Sequence, residues 1–129
     1  MTDQVEAIVV AFIDAINRGD LDGLTALMTD DHVMCLLDEP PVSGKETLRE
    51  AWRGYLAAFP EYTIYIERIA ARGGHAGIVG NTTGSHLGLP DEEERRLPVI
   101  WTADVRGGLV ASWNIVEDAP ELSRELGLS

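Results

Sequence analysis

Cations are scarce in this chain. It carries 10 Lys and Arg against 22 Asp and Glu, a formal charge of −12. That balance argues against nucleic acid and against an anionic membrane surface, since both are held by neutralising phosphate with Lys and Arg. Long hydrophobic runs are missing too. The longest, Ala7 to Ile13, falls far short of the roughly 20 residues that a spanning helix needs. Asp3 and Glu6 precede that run in place of a basic segment, so no secretory signal is expected. The single cysteine, Cys35, has no internal partner, and a reduced, cytoplasmic setting is expected. His32, His75 and His86 show no metal-ligand spacing, and neither C-x-x-C nor H-E-x-x-H occurs. The glycines form neither G-x-G-x-x-G nor a P-loop, and Ser85 is not in a G-x-S-x-G elbow. No metal and no cofactor are expected.

What is present is ordinary for a globular domain: 129 residues, 45% hydrophobic and 25% charged. The chain reads as one domain over residues 1–129, with no linker and no internal repeat. Val5, Ile8, Val9, Phe12, Ile13 and Ile16 recur at helical spacing, with Asp3 as a cap and Gly19 as a stop. Asp20 caps a second helix carrying Leu21, Leu24, Leu27 and Met28. Val33 to Leu37 reads as a strand, broken by Pro40-Pro41. Ser43 to Glu46 has the spacing of a capping box, opening a helix with Leu48, Ala51, Trp52, Tyr55, Leu56 and Phe59 on one stripe. The pattern then changes to strands over Tyr62–Ala71, Gly77–Leu87, Leu97–Val105 and Leu109–Val116. Asp91 to Glu94 reads as a solvated hairpin loop, and a short helix from about Pro120 to Leu126 ends the pattern. Helices first and a meander afterwards is an α+β layout, with the sheet curling over the helices.

Several segments carry a resemblance. Asn17-Arg18-Gly19-Asp20-Leu21-Asp22-Gly23-Leu24, followed by Asp30-Asp31-His32, looks like the opening of an NTF2-like domain. Val42-Ser43-Gly44-Lys45 before a helix ending at Phe59-Pro60 supports this. Gly84-Ser85-His86-Leu87-Gly88 and Leu122-Ser123-Arg124-Glu125-Leu126-Gly127 resemble the SnoaL-like branch, which includes polyketide cyclases and relatives of ketosteroid isomerase. The resemblance implies a cone: three N-terminal helices packed in a strongly curved antiparallel sheet, with a pocket inside and a short C-terminal helix. It also implies a homodimer through the convex face of the sheet. Apolar residues on both faces, as in Val99-Ile100-Trp101 and Asn114-Ile115-Val116, agree with a covered outer surface.

Fold does not settle function, so the family's acid–base positions matter residue by residue. The cyclases' His and Asp fall on Trp101 and Ile115. The last-strand Asp of the epoxide hydrolases falls on Ile115 again, and no R-x-D motif lies between Gly80 and Gly88. The isomerases' oxyanion Tyr falls on Phe12, their base on Leu36 and their second acid at or beside Trp101. All three known residue sets are replaced. Strand parity from the same alignment turns Ala103, Trp113, Glu117 and Asp38 inward as well. The pocket is then walled by Phe12, Trp52, Tyr55, Phe59, Trp101, Trp113 and Ile115, with Glu117 near its edge, which suits a small, flat hydrophobic ligand.

His86 is the first candidate acid or base, since a buried imidazole beside a carboxylate can act as either near neutral pH. Asp38, one strand repeat past the isomerase base position, is the second, because an apolar wall makes a carboxylate a better base. Tyr55 has a hydroxyl to offer a carbonyl oxygen. Core packing of the aromatics and solvation of Asp38 and Glu117 are the plainer accounts. Two functions stay open: a cofactor-independent isomerase, cyclase or hydratase, and a non-catalytic ligand-binding or dimeric scaffold protein.

Overall fold

The computed structural model describes residues 4–36 and 39–116. Helix α1 runs Gln4–Arg18 and buries Val9, Phe12, Ile13 and Ile16, the stripe set by its 3.6-residue period. Its end is a Schellman turn. Gly19, at φ +66°, donates to the Ile16 carbonyl at 3.0 Å, and Asp20 donates to the Ala15 carbonyl at 2.9 Å. The Asp20 side chain then accepts from the Gly23 amide at 3.0 Å and caps α2, Leu21–Ala26. From the last turn of α1, Asn17 reaches the edge of the sheet: its amide donates to the Ile64 carbonyl at 3.0 Å and accepts from the Ile64 amide at 2.8 Å. One side chain thereby pairs the exposed backbone of an edge strand.

The strands are β1 Met28–Cys35, β2 Val42–Ser43, β3 Thr63–Arg72, β4 His75–Thr83, β5 Val99–Arg106 and β6 Leu109–Val116. They form one curved sheet in the order β2-β1-β6-β5-β4-β3. Helix α3, Lys45–Ala58, packs against β1 and buries Leu48 and Trp52, and α4 is the single turn Asp91–Glu94. The α+β fold expected from the sequence is present, with helices held by a curved sheet. On β5 and β6 the register pairs Trp101 with Ile115 and Ala103 with Trp113, and Trp101, Ala103 and Trp113 are buried. Among the described residues no helix is long and apolar enough to cross a membrane.

The structure also corrects local expectations. β1 pairs parallel to β6, so the sheet is mixed rather than wholly antiparallel. The strand expected at Val33–Leu37 begins five residues earlier, because α2 stops at Ala26 and Met28 already pairs with Val110. The Ser43–Glu46 capping box does not form. Gly44 takes the cap position, and its amide donates to the His32 carbonyl at 2.8 Å, which draws Ser43 into β2. The strand expected over Gly77–Leu87 ends at Thr83, and the loop expected at Asp91–Glu94 is helical. The outer face of β5 and β6 is largely polar: Asn114 donates to Thr102, and Ser112 donates to Asp104. Ile100, on that face by parity, is already buried within one chain. The helix expected near Pro120–Leu126 and the cap expected at Asp3 lie outside the described residues.

His32 of β1 is 0% exposed. Its Nδ1 lies 2.7 Å from the Val110 carbonyl oxygen, so Nδ1 carries the proton, and the ring packs 5.8 Å from that of Phe12. Burial holds its pKa below the ordinary 6.5, outweighing the carbonyl contact and nearby Asp31. The unfolded chain therefore takes up this proton first, and stability present above pH 6.5 is lost as pH falls. We expect the unfolding free energy from urea titration to drop between pH 7 and 5, by up to about 1.4 kcal/mol per pH unit. In His32→Gln that slope should flatten; an unchanged slope would assign the effect elsewhere.

Candidate functional site

Helix α3 crosses the inner face of the sheet at one end only, and the space it leaves is a cavity of about 510 Å³. Stacked indoles form part of its wall. Trp101 and Trp113 lie on neighbouring strands with centroids 6.2 Å apart and planes 22° from parallel, and Phe12 packs behind Trp113 at 5.0 Å. Met34, Leu36, Val99 and Ile115 continue the apolar lining, and Trp52 of α3 closes it from the helix side. Glu39, His86 and Leu87 line it at exposed positions and mark its mouth.

Polar lining groups gather where the Tyr55 side chain of α3 reaches the turn that follows β4. Tyr55 Oη is 2.9 Å from His86 Nδ1 and accepts from the His86 main-chain N–H at 3.3 Å. The Tyr55 ring stands edge-on to that of Tyr62 at 5.2 Å and tilted against that of Phe59 at 4.8 Å. Those contacts leave the phenol few alternative rotamers. Burial raises the Tyr55 pKa, the His86 contact opposes this, and the charge of Glu94 adds to it. Tyr62 is pushed well above the usual phenol range by burial, with Tyr55 and Glu94 contributing. Both hydroxyls keep their protons at neutral pH and can donate to an oxygen. Among the described residues no group of three His, Cys, Asp or Glu side chains is placed to hold a metal.

Trp52, Tyr55, His86, Trp101, Trp113 and Ile115 all lie on the cavity wall. Phe12 does not: it is fully buried between His32 and Trp113, one layer below the lining, and belongs to the core. Phe59 backs Tyr55 and contacts the His86 ring at 6.3 Å, outside the lining itself. Asp38 and Glu117 lie outside the described residues. His86 sits in a turn after β4 rather than on a strand, because Gly84 leaves the ladder at φ +70°.

Tyr62, Thr82 and Glu94 are lining or supporting groups that sequence reasoning missed. Glu94 had a faint signal: Pro90 followed by four acids is a helix-start pattern, and one turn carries the fourth back toward the sheet.

Residues 9–113 match the SnoaL-like domain family. No curated protein matches the chain in sequence. Among solved structures, a cystatin-fold protein from Novosphingobium aromaticivorans is similar at TM-score 0.74 and 22% identity, over 91% of this chain and 100% of its own. A Sinorhizobium meliloti protein named as a candidate polyketide cyclase has TM-score 0.71 and 19% identity, over 89% and 100%. A Catenulispora acidiphila protein with a ketosteroid isomerase-like fold, solved with trimethylamine, has TM-score 0.68 and 19% identity, over 95% and 93%. At these identities the likeness is one of fold.

Gly84 positions the His86 turn. A Cβ there would sit 2.6 Å from the Glu61 carbonyl oxygen and 3.0 Å from the Tyr62 amide nitrogen, on a backbone at positive φ. Gly84→Ala should lose about 1–3 kcal/mol in urea unfolding. A loss under about 0.5 kcal/mol, the usual effect of a neutral surface change, would show that the turn is not held against Glu61.

Proposed function

The chain belongs to the SnoaL-like domain family, and from that premise we propose that its cavity binds a small, flat hydrophobic carbonyl compound and moves a proton on it without a cofactor. The observation that carries this reading is the asymmetry of the cavity: aromatic and aliphatic walls, with a hydrogen-bonded Tyr55–His86 pair near its mouth. An apolar wall supplies binding energy, and a few convergent polar groups supply orientation.

The chemistry follows from the hydrogen bonds of the pair. Tyr55 Oη accepts from the main-chain N–H of His86. In the tautomer with the proton on Nδ1, the imidazole donates to the same oxygen, and the phenol proton is free for a ligand carbonyl. Nε2 is then the unprotonated nitrogen. It takes the proton α to the carbonyl while Tyr55 holds the enolate oxygen, and it returns the proton to the same or a neighbouring carbon. An isomerase, a cyclase and a hydratase each need this enolisation.

A second reading is binding without turnover. Trp101 and Ile115, both on the cavity wall, favour it, because neither side chain can exchange a proton at the positions where SnoaL-like cyclases carry theirs.

The α-protons of 2-tetralone, a flat ketone, separate the two. Binding is followed by tryptophan fluorescence, and deuterium exchange by NMR. The proton-transfer reading expects saturable quenching and accelerated exchange. His86→Ala should slow that exchange by about 100-fold or more while affinity stays within about threefold. Saturable quenching without acceleration supports the binding-only reading, and exchange indifferent to His86→Ala and Tyr55→Phe removes the pair from the chemistry.

A further inference from the structure

Behind the polar end of the cavity lies a carboxylate that is 1% exposed. Glu94, the last residue of α4, accepts from the Thr82 hydroxyl through Oε2 and from the Ser85 amide through Oε1 at 3.4 Å. Its neighbour Arg95 turns the other way, over the Tyr65 ring at 3.9 Å and onto Asn81 at 2.9 Å. This segment therefore clasps the end of β4, with Glu94 on the inner face and Arg95 on the outer. Thr82 shares the inner face with Ile78 and lines the cavity beside Ser85 and His86.

A hydroxyl has one proton and two lone pairs. The proton of Thr82 is committed to Glu94, so toward the cavity the Thr82 oxygen can only accept. We propose that the Glu94–Thr82 pair sets ligand specificity, selecting a hydrophobic molecule that carries a hydroxyl, phenolic or enolic, placed to donate to Thr82. Glu94 acts through Thr82 and is a positioning residue. The inference rests on the cavity being the ligand site and extends that reading from the carbonyl end of the ligand to a second polar group.

The Ser85 amide sharpens the test, because an N–H can only donate. In Glu94→Gln the new carbonyl must face Ser85, which turns the new NH₂ toward Thr82. Thr82 then accepts from the amide and releases its own proton to the cavity. In Thr82→Val the oxygen is gone.

The probes are 2-naphthol and 2-methoxynaphthalene, the same flat ring system with and without the hydroxyl proton, titrated by tryptophan fluorescence. The folded protein should prefer 2-naphthol by about tenfold, the effect of one hydrogen bond. Thr82→Val should erase the preference by weakening 2-naphthol. Glu94→Gln should erase it by strengthening 2-methoxynaphthalene, and Thr82→Ser should keep it. Should Glu94→Gln not fold, as judged by circular dichroism, the two Thr82 variants decide alone. Equal binding of both probes to the unmodified protein overturns this inference and leaves the cavity reading standing. A preference that survives Thr82→Val also overturns it. Binding of neither probe overturns both.

Discussion

Two indoles on adjacent strands hold the middle of this molecule. Trp101 and Trp113 are diagonal neighbours across the β5–β6 ladder, and a stacked pair of this size fills space that smaller side chains would leave as a void. On one side Phe12 of α1 packs against Trp113, tying α1 to β6. On the other, the same rings face the open cavity. Both jobs follow from one placement, so a change at either tryptophan disturbs the core and the lining together. The hydrogen-bonded lining groups Tyr55 and His86 lie away from these rings, toward the cavity mouth.

That displacement organises the rest of the site. The polar groups come from three separate pieces of chain: Tyr55 on α3, Thr82 and His86 at and beyond the end of β4, and Glu94 on α4. None is adjacent in sequence to another, and each depends on a backbone device. Gly84 ends the strand so that His86 can turn back to Tyr55. The single turn of α4 brings a carboxylate under the turn it supports. Asn17 and the Schellman turn at Gly19 dock α1 on the edge of the sheet, and α1 in turn sets the depth of Phe12.

The fold was legible because its signals are local and periodic. The stripes of α1 and α3, the glycine stop and the change to strand pattern after Pro60 all act over a few residues, and all appear in the structure. Inward parity on β5 and β6, expected from the family resemblance, holds for Trp101, Ala103 and Trp113, although the ladder shifts register between Asp104 and Val105. Less was legible where two local rules competed. Ser43 had capping spacing, but Gly44 formed the cap when its amide found the carbonyl of His32, a partner 12 residues away. Gly84 to Gly88 looked like strand because Ser, His and Leu tolerate strand geometry, yet the left-handed backbone at Gly84 ended the ladder.

The amino-acid sequence by itself determined the fold class and the apolar aromatic character of the lining. These are properties of composition and alternation, which survive without knowing what touches what. Only the tertiary structure decided which aromatics are core and which are wall, that His32 is buried and His86 is not, and that Glu94 lies beneath the cavity rather than in solvent. Such distinctions arise from contacts between residues 12 to 78 positions apart, and chain spacing carries no information about them until the sheet has closed around its helices.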